Sequence, residues 1–144
     1  TLKDILVDDK SVEEEFYVNN KDLKKWKYLK NSKQEERETK DGFKYNYSEG
    51  SMIFPDDLDK ASRTIITGEG GSGPSRFKHV IAPPSNPKKL RRLTPIELER
   101  LNMFPDDHTK LENVSNTKRA FLMGNALVVG VIKKLGDSLY NFYE

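Results

Sequence analysis

From Thr1 to about Asp41 the apolar residues stand apart from one another. Leu2, Ile5, Leu6, Phe16, Tyr17, Val18, Leu23, Trp26 and Leu29 are each set among dense charge, a texture that predicts short helices and loops with small apolar anchors. Within it, residues 31–41 are almost wholly polar and have little to bury, so they are expected as a mobile surface loop or a frayed helix. From Phe43 to Ile66 aromatic and β-branched residues take over, and Arg63-Thr64-Ile65-Ile66-Thr67 reads as a strand. The run Gly68-Glu69-Gly70-Gly71-Ser72-Gly73-Pro74 breaks regular structure. His79-Val80-Ile81 resumes a short strand before Pro83, Pro84 and Pro87 impose an extended connector.

The sharpest local signal is Leu93-Thr94-Pro95-Ile96-Glu97-Leu98. Thr94 can cap a helix, Pro95 fits the first helical position where its missing N–H costs nothing, and Glu97 can reach back to the cap amide. Leu93 and Leu98 have the spacing of a hydrophobic staple, and the helix is expected to run through Leu101 and stop before Pro105. Near the end, Val128, Val131, Ile132, Leu135 and Leu139 follow helical spacing, which predicts a helix from about Leu127 that buries this face. Gly124-Asn125 marks a break in front of it.

Composition narrows the classes. Hydrophobic residues make up 35% and charged residues 33% of the 144, with seven Phe, six Tyr and one Trp available for packing. No run approaches the roughly 18 apolar residues of a membrane span, and no basic-then-apolar signal opens the chain. There is no Cys, so disulfides, thiolate metal sites and cysteine nucleophiles are absent, and only His79 and His108 could serve as imidazole ligands. The opening at Thr1 rather than Met suggests a processed or truncated chain. The net charge of +2 hides an uneven distribution. Residues 71–100 hold seven basic side chains (Arg76, Lys78, Lys88, Lys89, Arg91, Arg92, Arg100) against two acidic ones, a local surplus suited either to a phosphate backbone or to a solvated face. The Gly-rich run lacks the Gly-Lys-Ser/Thr ending of a phosphate loop and reads as a flexible loop.

Two segments in this order resemble the closing part of bacterial and phage DNA cytosine-5 methyltransferases. Arg92-Leu93-Thr94-Pro95-Ile96-Glu97-Leu98-Glu99-Arg100-Leu101 with Phe104-Pro105-Asp106 looks like the ninth family motif, and Gly124-Asn125-Ala126-Leu127 looks like the tenth. Ser62-Arg63-Thr64-Ile65-Ile66, with His79 downstream, is similar to an element of the family's target-recognition region, and Thr1-Leu2-Lys3-Asp4-Ile5-Leu6 to a stretch that opens that region. The chain departs from the pattern at Asn102-Met103, where the family has Gln-Gly; Met103 is expected not to take the left-handed backbone conformations open to glycine. Ala126-Leu127 also replaces the more frequent Ser-Val or Ala-Val.

The resemblance implies an α+β fold: a small irregular β-containing recognition module over residues 1–90, then two or three C-terminal helices over 91–144 that pack on a catalytic lobe absent from this chain. It implies double-stranded DNA as partner, with Ser62, Arg63, Thr64, Ile65, Arg76, Lys78 and Arg91 on the DNA side. Gly124, Asn125 and Ala126 would lie beside S-adenosylmethionine, and Arg92, Thr94, Pro95 and Glu97 in the structural connection between lobes. The family's mechanism flips the target base and adds a thiolate to it. This chain holds neither that Cys nor the early Gly-rich cofactor motif, so it is expected to be inactive alone. No metal and no membrane enter the expectation, and the location implied is the bacterial cytoplasm beside the nucleoid. Without its lobe, the last helix would be covered by self-association or by folding back. The alternative reading is a stand-alone DNA-binding or protein-interaction module with no cofactor role.

Overall fold

A computed structural model describes residues 1–143. Four single-turn 3-10 helices come first, at Leu2–Ile5, Asp9–Ser11, Glu14–Phe16 and Asn20–Asp22. Short polar side chains start two of them, as Asp8 and Asn19 accept from the amides of Lys10 and Lys21. Helix α1 (Leu23–Lys30) follows and buries Trp26 and Lys30, one turn apart on the same face.

Residues 31–41 correct the expectation of a loop or frayed helix. Lys33–Glu38 is strand β1, paired antiparallel with β2 (Lys44–Glu49) in the register Lys33↔Glu49 to Glu38↔Lys44. The hairpin closes on Thr39 and Phe43, with Gly42 in the left-handed region at φ 81°. Apolar burial does not hold it. Lys44 pairs with Glu36 at 3.2 Å, and the Arg37 guanidinium stacks 3.5 Å from the Tyr47 ring centre. Hydropathy is blind to such contacts.

The expected short strand at 79–81 is present as β3 (Val80–Ile81), which pairs with β4 (Arg91–Arg92). Single bridges extend this pair on both sides, Tyr17 to Arg91 and Asp56 to Ile81, so a narrow four-strip sheet crosses the molecule. Arg63–Thr67 is not a strand. Its polar groups join no ladder, Thr67 enters a turn, and side chains and a helix hold the segment instead.

Helix α2 (Pro95–Leu101) carries the expected capping box, with Thr94 and Glu97 each accepting from the other's amide. Leu93 and Leu98 are buried in one core cluster with Leu2, Ile81, Ala120 and Met123. That cluster, and the β3–β4 pairing, tie residues 1–90 to residues 91–143. Past α2, Met103 corrects the expectation for it: at φ 62° it takes the left-handed turn despite its side chain.

Helix α3 (Asn116–Asn125) had no counterpart in the sequence reading. Gly124-Asn125, expected as a break, is its last turn, and the break falls at Ala126–Val128. Helix α4 (Val129–Tyr143) begins close to the expected position, but its stripe is not buried: Val131 is 54%, Leu135 57% and Leu139 60% exposed. The fold-back route to covering it is therefore not taken. Mixed helices and small antiparallel sheets make the chain α+β.

Candidate functional site

The segment 61–70 is anchored from beneath by buried polar groups. Arg63 grips Asp56 with two parallel hydrogen bonds, Nε to Oδ1 at 2.8 Å and Nη2 to Oδ2 at 3.1 Å, and also donates to the carbonyls of Phe77 and Lys78. Asp56 in turn accepts from the Val80 amide at 2.8 Å, which fixes the segment to β3. One residue earlier, Ser62 Oγ lies 3.0 Å from His79 Nε2, while His79 Nδ1 lies 3.1 Å from Glu69. A carboxylate only accepts, so the ring proton belongs on Nδ1 and Nε2 faces the Ser62 hydroxyl. The fully buried His79 thus ties Ser62 and Glu69, the two ends of one eight-residue stretch, to a single ring.

The top of that stretch faces outward. Thr64 is exposed and Ile65 half-buried, and with Ser62 and Arg63 they line a cleft of about 490 Å3 whose other wall is Leu101, Asn102, Met123, Gly124, Ala126 and Val128. Residues expected on the DNA side and residues expected on the cofactor side therefore share one cleft. Gly124 explains how closely they approach. A Cβ there would collide with the backbone of Ile66 and Thr67, so α3 crosses the segment with nothing between them. At the other end of α3, a Cβ on Gly70 would come within 2.8 Å of the Thr117 backbone. Asn125 lies outside the cleft lining. It is exposed, with its Nδ2 held by the Phe121 carbonyl at 3.0 Å.

The basic residues behave differently from the sequence expectation. Lys78 is buried, and its ammonium donates to the carbonyls of Gly71 (3.0 Å) and Gly73 (2.9 Å), stapling the Gly-rich loop. Burial, then the nearby Arg92, lowers its pKa from the ordinary lysine value. Arg76 donates to the carbonyls of Leu29 (2.9 Å), Asn31 (3.2 Å) and Gly50, closing the base of the β1–β2 hairpin. Arg91, expected on the DNA side, has no exposed surface: it pairs with Glu97 at 2.8 Å and Asp9 at 3.2 Å. Burial alone would lower its pKa, but the hydrogen bonds and charges of Glu97 and Asp9 outweigh that and raise it. The reason is geometric. Arg91 and Glu97 flank the same cap, and Glu97 also accepts from the amides of Thr94 (2.7 Å) and Val7 (3.1 Å).

Arg92 donates to the Glu15 carbonyl at 2.6 Å over the Phe16 ring, joining the N-terminal turns to α2. Asn102, an apparent departure from the family pattern, joins the helix ends: its Nδ2 donates to Met123 O at 2.8 Å and its carbonyl accepts from Val129 N at 3.0 Å. A cluster that sequence reading missed entirely is Glu99, Thr109, Asp107 and Arg119. Arg119 reaches Glu99 at 2.9 Å and Asp107 at 3.0 Å, linking α2 to α3. Measured from Glu99 its other members lie 8, 10 and 20 positions further on, so no spacing could announce them.

No group of three or more metal-ligating side chains occurs among the described residues, and no helix among them is long and apolar enough to cross a membrane. The family model for C-5 cytosine-specific DNA methylase matches residues 1–141. The type II methyltransferase M.Sau3AI of Staphylococcus aureus is 40% identical over 139 residues, 96% of this chain and 32% of that protein. The chain thus spans about a third of the length of the curated relative it matches. No solved structure matches it.

Proposed function

The chain belongs to the C-5 cytosine-specific DNA methylase family, and from that premise we propose that it is the C-terminal portion of a DNA cytosine-5 methyltransferase, supplying target recognition and one wall of the S-adenosylmethionine pocket. The observation that carries this reading is the shared cleft, in which Ser62–Ile65 face Gly124 and Ala126 across contacting backbones. Target reading falls to the exposed Thr64 and half-buried Ile65, held in place by Arg63 and His79 rather than free to search. Preorganised groups lose less freedom on binding, which favours specificity.

S-adenosylmethionine, when bound, supplies the methyl group. The residues here fit one side of such a pocket and no more. Gly124 and Ala126 leave the cleft wall low, and the exposed Asn125 amide keeps an acceptor free beyond its bond to Phe121. The remaining walls and the attacking thiolate come from a catalytic lobe, since this chain has no Cys. The bare stripe of α4 supports the same arrangement, because contiguous apolar surface of several hundred Å2 is rarely left open on a monomer. A protein of this kind acts in the cytoplasm, where the bacterial chromosome is.

The test compares this chain with the complete gene product on mixed-sequence duplex DNA and labelled S-adenosylmethionine. The chain alone transfers no methyl group, and the complete product does. In the complete product, Asn125→Ala weakens cofactor binding while leaving the methylated sequence unchanged, and Thr64→Ala with Ile65→Ala alters which cytosines are methylated. Turnover by the chain alone overturns the reading.

A further inference from the structure

The cations nominated by sequence for a phosphate backbone are engaged within the protein, with Lys88 the exception. Arg63, Arg76, Lys78 and Arg91 all spend their donors on carbonyls and carboxylates. The densest group of exposed cations without an ion pair lies elsewhere, on α1 and the turn before it, whereas Lys3, Lys10, Lys40, Lys88, Lys133 and Lys134 are scattered along the chain. Lys21, Lys24, Lys25 and Lys27 are exposed, and none of them forms an ion pair among the described residues. At 100° per residue Lys24 and Tyr28 lie near one line of α1 with Lys25 and Lys27 on either side, while Trp26 and Lys30 face the protein, and Lys21 stands in the 3-10 turn just before the helix. Asp22, the acid beside this face, pairs with none of them.

Taken alone, this arrangement is electrostatically unfavourable. Lys24 and Lys27 stand at i,i+3 within α1, where like charges destabilise a helix. Lys24 and Lys25 also occupy its first turn, where the helix dipole opposes cations. An anionic surface relieves both costs. The face is also fixed in position. Lys30, on the buried side of α1, donates to the Lys78 carbonyl at 2.5 Å, and the same oxygen accepts from Arg63 at 3.2 Å. Arg76 holds the Leu29 carbonyl at 2.9 Å. One turn of α1 is therefore bolted to the residues that carry Ser62–Ile65.

We propose that the lysine face of α1 is a docking surface for the phosphate backbone of duplex DNA. It rests on the reading that the parent protein acts on DNA. Phosphate contacts fix register without reading sequence, so this surface holds the duplex while the 62–65 segment reads it.

The experiment uses the complete gene product and a fluorescein-labelled mixed-sequence duplex, with anisotropy measured across a KCl series. Lys24, Lys25 and Lys27 are replaced together by Gln, a good helix former. A second variant, Lys3→Gln with Lys10→Gln and Lys110→Gln, makes the same change of charge off the helix. Each phosphate contact contributes about 0.9 to the log–log salt slope, so the α1 variant should lose about 2–3 from it and bind about tenfold or more weakly at low salt. The second variant should match the parent. A parental slope in the α1 variant overturns this proposal alone. Equal losses in both variants also overturn it, because net charge and not this face would be responsible. A parent with no salt-dependent affinity overturns the DNA reading, and this proposal with it.

Discussion

Among single residues, the buried cations decide the most. Arg91 neutralises Glu97 and Asp9 with no exposed surface of its own. Arg91→Met leaves Glu97 charged and buried, which costs about 3–5 kcal/mol; a urea titration showing a loss under about 1 kcal/mol would refute this account of the cap. Lys30 is the converse case. Burial, then the repulsion of Arg63, lowers its pKa from 10.5 to about 8. The folded pKa lies below the unfolded one, so the unfolded chain holds more protons between the two values and stability rises with pH there. The gain is complete above the unfolded value and is lost as pH falls through about 8. Lys30→Met removes the charge, and Lys78 O keeps Arg63 as a donor. The difference in melting temperature between variant and parent should therefore favour the variant at pH 7 and shrink by pH 10. A difference independent of pH would rule out Lys30 as its source. Sequence made Arg91 and Lys78 legible as cations but not as buried ones, because their partners Glu97, Asp9, Gly71 and Gly73 are supplied by folding.

Among elements, α2 was fully legible because cap, proline and staple are local chemistry. The hairpin was not, since its strands are joined by Lys–Glu pairs and an Arg–Tyr stack that a hydropathy pattern reads as loop. Helix α3 was missed because its buried face is largely Arg119, Ala120 and Met123, and Arg119 counts as polar until Glu99 meets it. Its most exacting contact is Gly124 on the Ile66–Thr67 backbone. Gly124→Ala gains helix propensity of about 1 kcal/mol at most, whereas overpacking against a backbone costs about 1–3 kcal/mol. Backbone cannot rotate aside as a flexible side chain can. The expected result is a net loss of stability in thermal melts and slower hydrogen exchange nowhere along 62–70. Unchanged stability would mean that α3 and the segment are not in contact. The family motif flagged this glycine for a cofactor, and packing supplies an additional reason for it.

Across the whole molecule, the core was only partly visible from the pattern: Leu2, Leu93 and Leu98 belong to it, while the strongest apolar stripe, on α4, does not. Periodicity reports that a face wants cover, not that the cover is on the same chain. Val131→Asp with Leu135→Asp should leave the melting of this chain within about 0.5 kcal/mol, as for other exposed positions, and should abolish any concentration-dependent mass in sedimentation. A large loss of stability would mean that the stripe is buried after all. Helix α4 meets the rest at a narrow joint, where Val129 N reaches Asn102 O at 3.0 Å and a Cβ on Gly130 would strike the Met103 thioether. Met103 is 60% exposed, whereas Met123 is 3% exposed, so the joint has its own chemical clock. Peroxide should convert Met103 to the sulfoxide well before Met123, placing a polar oxygen on the sulfur that rests against Gly130. Mild oxidation would then loosen α4 while the core stays folded, and mass spectrometry of protease-released C-terminal peptides would date the ageing of the protein from its surface methionine.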